Sequence, residues 1–166
     1  MIAQGRLVQV NTSGGGVPKR PVSEARVFFD RVEGDDWNDK LRHGTAGQAV
    51  LLYSTELIEE MKREGFPLFA GALGENFTTT GIDFRSVRRG QMFRVGADVE
   101  IRITKVRKPC NTIAVYGTGI EQATYDAAVK AGDATSPKWG KSGFYAEVLK
   151  EGIVRPGDPI TEIETR

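Results

Sequence analysis

Arg107-Lys108-Pro109-Cys110-Asn111 sets two cations within three residues of the only thiol in a chain of 166 residues. Nearby positive charge favours a thiolate, the form that attacks electrophiles and ligates soft metals. With a single cysteine, no internal disulfide can claim Cys110. Pro109 stiffens the approach to it. A structural reading stands beside this one, because a lone cysteine often packs as a small hydrophobe.

Three other groupings have polar side chains placed for chemistry. His43, the only histidine, lies in Arg42-His43-Gly44. It either satisfies a local hydrogen bond or serves a site, and a metal centre built from several histidines is excluded. Gly71-Ala72-Leu73-Gly74-Glu75-Asn76-Phe77 sets Glu75 and Asn76 among glycines and apolar residues. That pattern fits close backbone approach to a ligand, or equally a tight turn capped by Asn76. Arg102, Lys105, Arg107 and Lys108 form a basic stretch. It lacks the interleaved aromatics of a nucleic-acid stacking platform, and suits the phosphate of a small cofactor as well as it suits RNA. Arg88-Arg89 reads as a solvated pair. No GxGxxG precedes a helix, no Walker loop is present, and Gly14-Gly15-Gly16 reads as a turn.

The elements that must hold these residues are mostly strands. Ile2 to Val10 and Val22 to Phe29 read as strands, and Ala49 to Tyr53 as a short buried one. Ser54 is a candidate N-cap for a helix over Thr55 to Glu64, with Leu57, Ile58 and Met61 on one face and Gly65 and Pro67 as the stop. Phe77 to Thr80 favours extended chain. Gln91 to Val95, Gly96-Ala97-Asp98 and Val99 to Val106 read as a hairpin, and Cys110 follows its second strand. Ile120 to Lys130 reads as a helix, Phe144 to Lys150 alternates, and Ile160 to Ile163 closes the sheet. Irregular order and frequent glycine turns predict a mostly β protein, a barrel or sandwich with a few inserted helices, rather than a Rossmann-type sheet.

Bulk composition excludes several function classes. The chain is long enough for one domain with a real core, and 39% hydrophobic with 27% charged residues argues against disorder. Lys+Arg of 23 against Asp+Glu of 22 gives no global pull toward nucleic acid or a membrane surface. Met1 to Val10 lacks the layout of a secretion signal, and no apolar run nears the roughly 20 residues of a membrane span. A cytoplasmic protein is expected, with one cysteine fitting a reducing compartment.

Taken in order, these blocks resemble the MOSC domain family, named for the C-terminal domain of molybdenum-cofactor sulfurase, in its stand-alone bacterial form. Val32-Glu33-Gly34-Asp35 resembles the early Gly-Asp loop of the family. Arg42-His43-Gly44 followed by Gln48-Ala49-Val50 resembles its His-Gly segment, and Gly71 to Phe77 its Gly-Glu-Asn segment. Arg107-Lys108-Pro109-Cys110 resembles the segment bearing the family cysteine. Gly143 to Leu149, Gly152 and Gly157-Asp158 are similar to its closing strands. One departure stands out. The family usually places a second glycine after His-Gly, often followed by a proline and an acidic residue, where this chain has Thr45-Ala46-Gly47.

The resemblance implies a single β-barrel domain over 1–166 and a molybdenum-cofactor or sulfur-transfer context. One implied role is reduction of N-hydroxylated or N-oxygenated compounds, with molybdenum of the pterin cofactor ligated by Cys110. Arg107 and Lys108 would then offset thiolate and cofactor-phosphate charge, while His43, or Glu75 with Asn76, would orient the pterin or relay a proton. That role needs a small-molecule substrate and an electron-donor protein. The alternative is a sulfur carrier holding a persulfide on Cys110, received from a cysteine desulfurase. Pyridoxal phosphate belongs to this context only through that desulfurase. Neither nucleic acid nor membrane is an expected partner, and exposed sheet edges leave an oligomer open.

Overall fold

The computed structural model describes residues 2–35 and 46–165. His43 and its neighbours Arg42 and Gly44 lie outside the described residues. The strands are β1 (Gln4–Thr12), β2 (Arg20–Val22), β3 (Ala25–Val27), β4 (Val50–Ser54), β5 (Phe77–Thr80), β6 (Met92–Val95), β7 (Val99–Val106), β8 (Phe144–Lys150), β9 (Gly152–Val154) and β10 (Pro159–Ile163). Seven of them run in the order β10-β6-β7-β8-β4-β5-β1, and pairing of β1 with β10 closes the ring. β2 adds to β1, and β3 pairs with β9 as a separate ribbon. The protein is therefore a β-barrel with a few short helices, as the strand pattern predicts.

Every pairing in the ring is antiparallel except β4 with β5. Parallel neighbours need a crossover, and here it carries helix α1 (Thr55–Arg63). The Ser54 side chain caps α1, accepting from the Leu57 N–H at 3.1 Å. Leu57, Ile58 and Met61 face the core as their spacing predicts. All five residues of β4 are buried, which explains its unbroken apolar run. Val99, Ile101 and Ile103 of β7 point into the barrel with Leu7, Val10, Phe77, Phe93 and Phe144. Among the described residues, no helix is long and apolar enough to cross a membrane.

Two expected elements differ. Val22 to Phe29 is not one strand: β2 pairs with β1 and β3 with β9, so the run turns between two partners. Ile120 to Lys130 is not one helix but α2 (Ile120–Thr124) and α3 (Ala127–Lys130). Tyr125 is extended, and the Asp126 carboxylate accepts from the Val129 N–H at 2.8 Å and the Ser136 hydroxyl at 2.9 Å. An aspartate that gains more as an N-cap than as an interior residue restarts the helix.

Candidate functional site

The crossover between α1 and β5 and the segment after β7 bring the singled-out polar residues together. β7 ends at Val106, and the next residue is locked by its backbone. The Arg107 N–H donates to the Gly143 carbonyl at 2.9 Å, and the Arg107 carbonyl accepts from the Ser142 hydroxyl at 2.6 Å. Arg107 is only 5% exposed. Among the described residues, its guanidinium makes no hydrogen bond or ion pair. Lys108 is exposed. The two cations that look equivalent in the sequence thus separate into one buried and one solvated.

Cys110 follows buried Pro109 and opens a 3-10 turn over Asn111–Tyr116. It is half-buried. Its Sγ lies 2.7 Å from Thr112 Oγ1, and either atom is able to donate. Tyr145 of β8 sits within electrostatic reach of both Cys110 and Arg107. Burial pushes its phenol above the ordinary range, Arg107 opposes that, and Cys110 adds to it. The Lys105 ammonium stands 5.8 Å from the same ring.

Glu75 is fully buried. Its Oε2 accepts from the Gly71 N–H and from the Thr78 hydroxyl, each at 2.9 Å, while Oε1 is buried without a partner. Burial pushes its carboxyl well above the usual carboxylate range, against the hydrogen bonds and the Arg107 charge. The bond from Gly71 depends on glycine. Gly71 has φ of +92°, and a Cβ there would stand 2.1 Å from the Lys19 carbonyl oxygen. Buried Asn11 supports the same loop, donating to the Glu75 carbonyl at 3.1 Å and to Thr78 Oγ1 at 3.0 Å.

Asn76 is committed to the barrel. Its Oδ1 accepts from the Leu51 N–H at 3.0 Å, and its Nδ2 donates to Asp35 Oδ2 at 2.9 Å and to the Asn11 carbonyl at 3.3 Å. Asp35 in turn pairs with the Lys19 ammonium and accepts from the Ser13 N–H at 3.0 Å. The side chains of Lys19 and Asp35 are 11% and 1% exposed. Burial pulls the Lys19 ammonium below its ordinary range despite the attraction of Asp35, and Glu75 and Arg107 both act on it.

Arg107, Glu75 and Lys19 are thus mutually coupled, with Tyr53, Tyr116 and Tyr145 also within reach of this charge cluster. Of the residues singled out from sequence, Cys110, Arg107, Glu75 and Asn76 belong to this pole, Lys108 is exposed to solvent, and His43 lies outside the described residues. Sequence reasoning does not single out Lys19, Thr112 or the tyrosines as site residues. Thr112 was legible as a hydroxyl two residues past the thiol. Nothing local marks Lys19, whose position depends on its backbone N–H bonding the Gly71 carbonyl at 2.9 Å.

A closed barrel with a cysteine-bearing, charge-lined pole is the class of protein that these observations define. The MOSC domain model matches residues 39–161, and the chain belongs to that family. It is 32% identical over 146 residues to the uncharacterized protein YflK of Bacillus subtilis (strain 168), covering 86% of this chain and 60% of YflK. It is 29% identical over 126 residues to a protein of Gibberella moniliformis named as a reductase, covering 74% of this chain and 21% of that protein. YiiM from Geobacillus stearothermophilus has a similar crystal structure, with a TM-score of 0.69 and 26% identity over 96% of this chain and 75% of YiiM. The chain therefore spans less than two thirds of the curated relatives it matches.

Proposed function

We propose that the chain binds the molybdenum cofactor at this pole and reduces N-hydroxylated or N-oxygenated compounds. The observation that carries this reading is the half-buried single thiol of Cys110, which shares Tyr145 as a neighbour with a buried Arg107 whose guanidinium is uncommitted among the described residues. A soft thiolate suits molybdenum in a sulfur environment, and one protein ligand suffices for a metal delivered by a pterin dithiolene. The residues fit such a group. Cys110 would ligate the metal, and Arg107 and Lys108 would offset the negative charge of thiolate and phosphate. When bound, the cofactor supplies two-electron exchange with substrate.

The chain's own residues do the rest. Thr112 fixes the orientation of the Cys110 sulfur through its hydroxyl. Burial raises the Glu75 carboxyl above its ordinary range and so favours its protonated form inside the pole, and Asn76 anchors the Glu75 loop to β4. Exposed Lys108 faces the solvent side from which substrate and an electron-donor protein arrive. A fungal relative bearing the name reductase supports the reductive direction.

The test is turnover. Protein loaded with cofactor and supplied with a reduced viologen should reduce an N-hydroxylated amidine, and Cys110→Ser should lose the activity while keeping its fold. A loaded wild type that leaves such substrates untouched but carries cyanide-labile sulfur on Cys110 would replace this reading with the sulfur carrier.

A further inference from the structure

Cys110 sits in a segment, residues 107–119, that runs from β7 to α2 without a strand. Both ends of the segment are held by parts of the fold that trace back to the C-terminal end of α1. At its start, the turn over residues 140–143 grips the Arg107 peptide from two sides, through the Ser142 hydroxyl and the Gly143 carbonyl. That turn is itself tied twice. The Tyr53 phenol of β4 donates to the Lys141 carbonyl at 3.1 Å. The Lys141 ammonium reaches α1, standing 2.7 Å from Glu64 Oε2 and 4.0 Å from Glu60 Oε1. The Lys141 side chain is only 12% exposed, so salt and water screen this pair less than an exposed one. At the far end of the segment, Phe66 lies against Gly117, where a Cβ would stand 2.9 Å from Phe66 Cδ1. Phe66 is bound to the end of α1 by its N–H, which donates to the Met61 carbonyl at 3.0 Å. Phe69 meets Tyr116 edge to face, with ring centroids 5.9 Å apart. Between these anchors, residues 107–110 have no regular secondary structure.

We infer that the C-terminal end of α1 positions the Cys110 thiol, and that Lys141 is the positioning residue that couples the two. Lys141 fixes its neighbour Ser142, and the Ser142 hydroxyl fixes the Arg107 carbonyl, three residues before the thiol. The aromatic contacts hold the other end of the segment. A displacement at Arg107 is therefore taken up between the anchors, where Cys110 lies. A metal ligand and a persulfide carrier need the sulfur held in place equally.

The test uses cofactor-free protein, so a failed molybdenum reading leaves it intact. Bromotrifluoroacetone alkylates the single thiol and leaves one trifluoromethyl reporter on Cys110. Wild type should give one narrow fluorine resonance. Lys141→Met keeps the reach of the side chain and removes its charge. It should shift or split that resonance with unchanged far-ultraviolet circular dichroism. It should also speed alkylation of the unlabelled thiol by iodoacetamide about threefold, by loosening the segment locally. Glu64→Gln should act in the same direction to a smaller degree, because Glu60 still faces the ammonium. Lys141→Arg keeps the charge and should retain the wild-type resonance and rate. Lys62→Met is the control, since Lys62 pairs with Glu59 at 3.2 Å within the same helix, and it should leave both readouts unchanged. Should Lys141→Met not fold, Glu64→Gln carries the test alone. A wild-type resonance and rate in both Lys141→Met and Glu64→Gln, an equal change in Lys62→Met, or a change in Lys141→Arg as large as in Lys141→Met would overturn the proposal.

Discussion

Asn76 and Leu51 exchange two hydrogen bonds across the crossover: the Asn76 N–H donates to the Leu51 carbonyl at 2.9 Å, and the Leu51 N–H donates to Asn76 Oδ1 at 3.0 Å. The side chain thus stands in for a strand residue just before β5 takes up its parallel pairing with β4. Its amide nitrogen reaches Asp35 and the Asn11 carbonyl. One residue ties three segments of the pole. Asn76→Ala should therefore lower stability by about 3 kcal/mol, because it leaves the buried Leu51 N–H unpaired and takes a donor from the Asp35 carboxylate and the Asn11 carbonyl. Urea unfolding reads this directly, and a loss under about 1 kcal/mol would show that Asn76 is not the tie described.

Gly71 should be equally intolerant for a different reason. Alanine there meets the Lys19 carbonyl and must hold φ of +92°. Gly71→Ala should cost about 2–3 kcal/mol through strain alone. It should also displace the N–H that bonds Glu75. Thermal unfolding of Gly71→Ala beside Gly65→Ala separates the two causes: Gly65 also has a positive φ, but a Cβ there meets nothing. Equal losses in both variants would leave the Lys19 clash without consequence.

Stability should depend on pH through Glu75, with a definite sign. Burial raises its folded-state value above the ordinary 4.5. Between 4.5 and that raised value the folded protein binds more protons than the unfolded chain, so stability falls as pH rises through the window. Glu75→Gln should remove that slope. Lys19 acts in the opposite sense at higher pH, because burial lowers it from 10.5 and stability rises until the unfolded lysine also loses its proton. Urea midpoints measured across pH on cofactor-free protein check both signs. Identical slopes in wild type and Glu75→Gln would contradict the account.

The sequence carried the barrel because alternation and turn chemistry are local. Val99, Ile101 and Ile103 announce β7, and Ser54 announces α1. The split of Ile120 to Lys130 was harder to see, because Asp126 reads as a helix interior until Ser136 is brought to it from ten residues away. At the site, Cys110 and Glu75 were visible as residue types in unusual settings. The opposite fates of Arg107 and Lys108 were not, since they depend on where the 142–143 turn clamps the backbone. Lys19 and Asp35 were hidden for the same kind of reason. Their pairing is a long-range product of closing the barrel, and no spacing in the chain encodes it.

The central claim is that Cys110 ligates molybdenum, and metal content tests it most directly. Wild type and Cys110→Ser would be expressed in a host that makes the cofactor and purified without exposure to chelators. Molybdenum and pterin fluorescence would then be measured per folded chain. The account predicts near-stoichiometric metal in wild type and its loss in Cys110→Ser, with unchanged circular dichroism. Wild type lacking molybdenum despite confirmed cofactor supply, or Cys110→Ser retaining all of it, would contradict the claim.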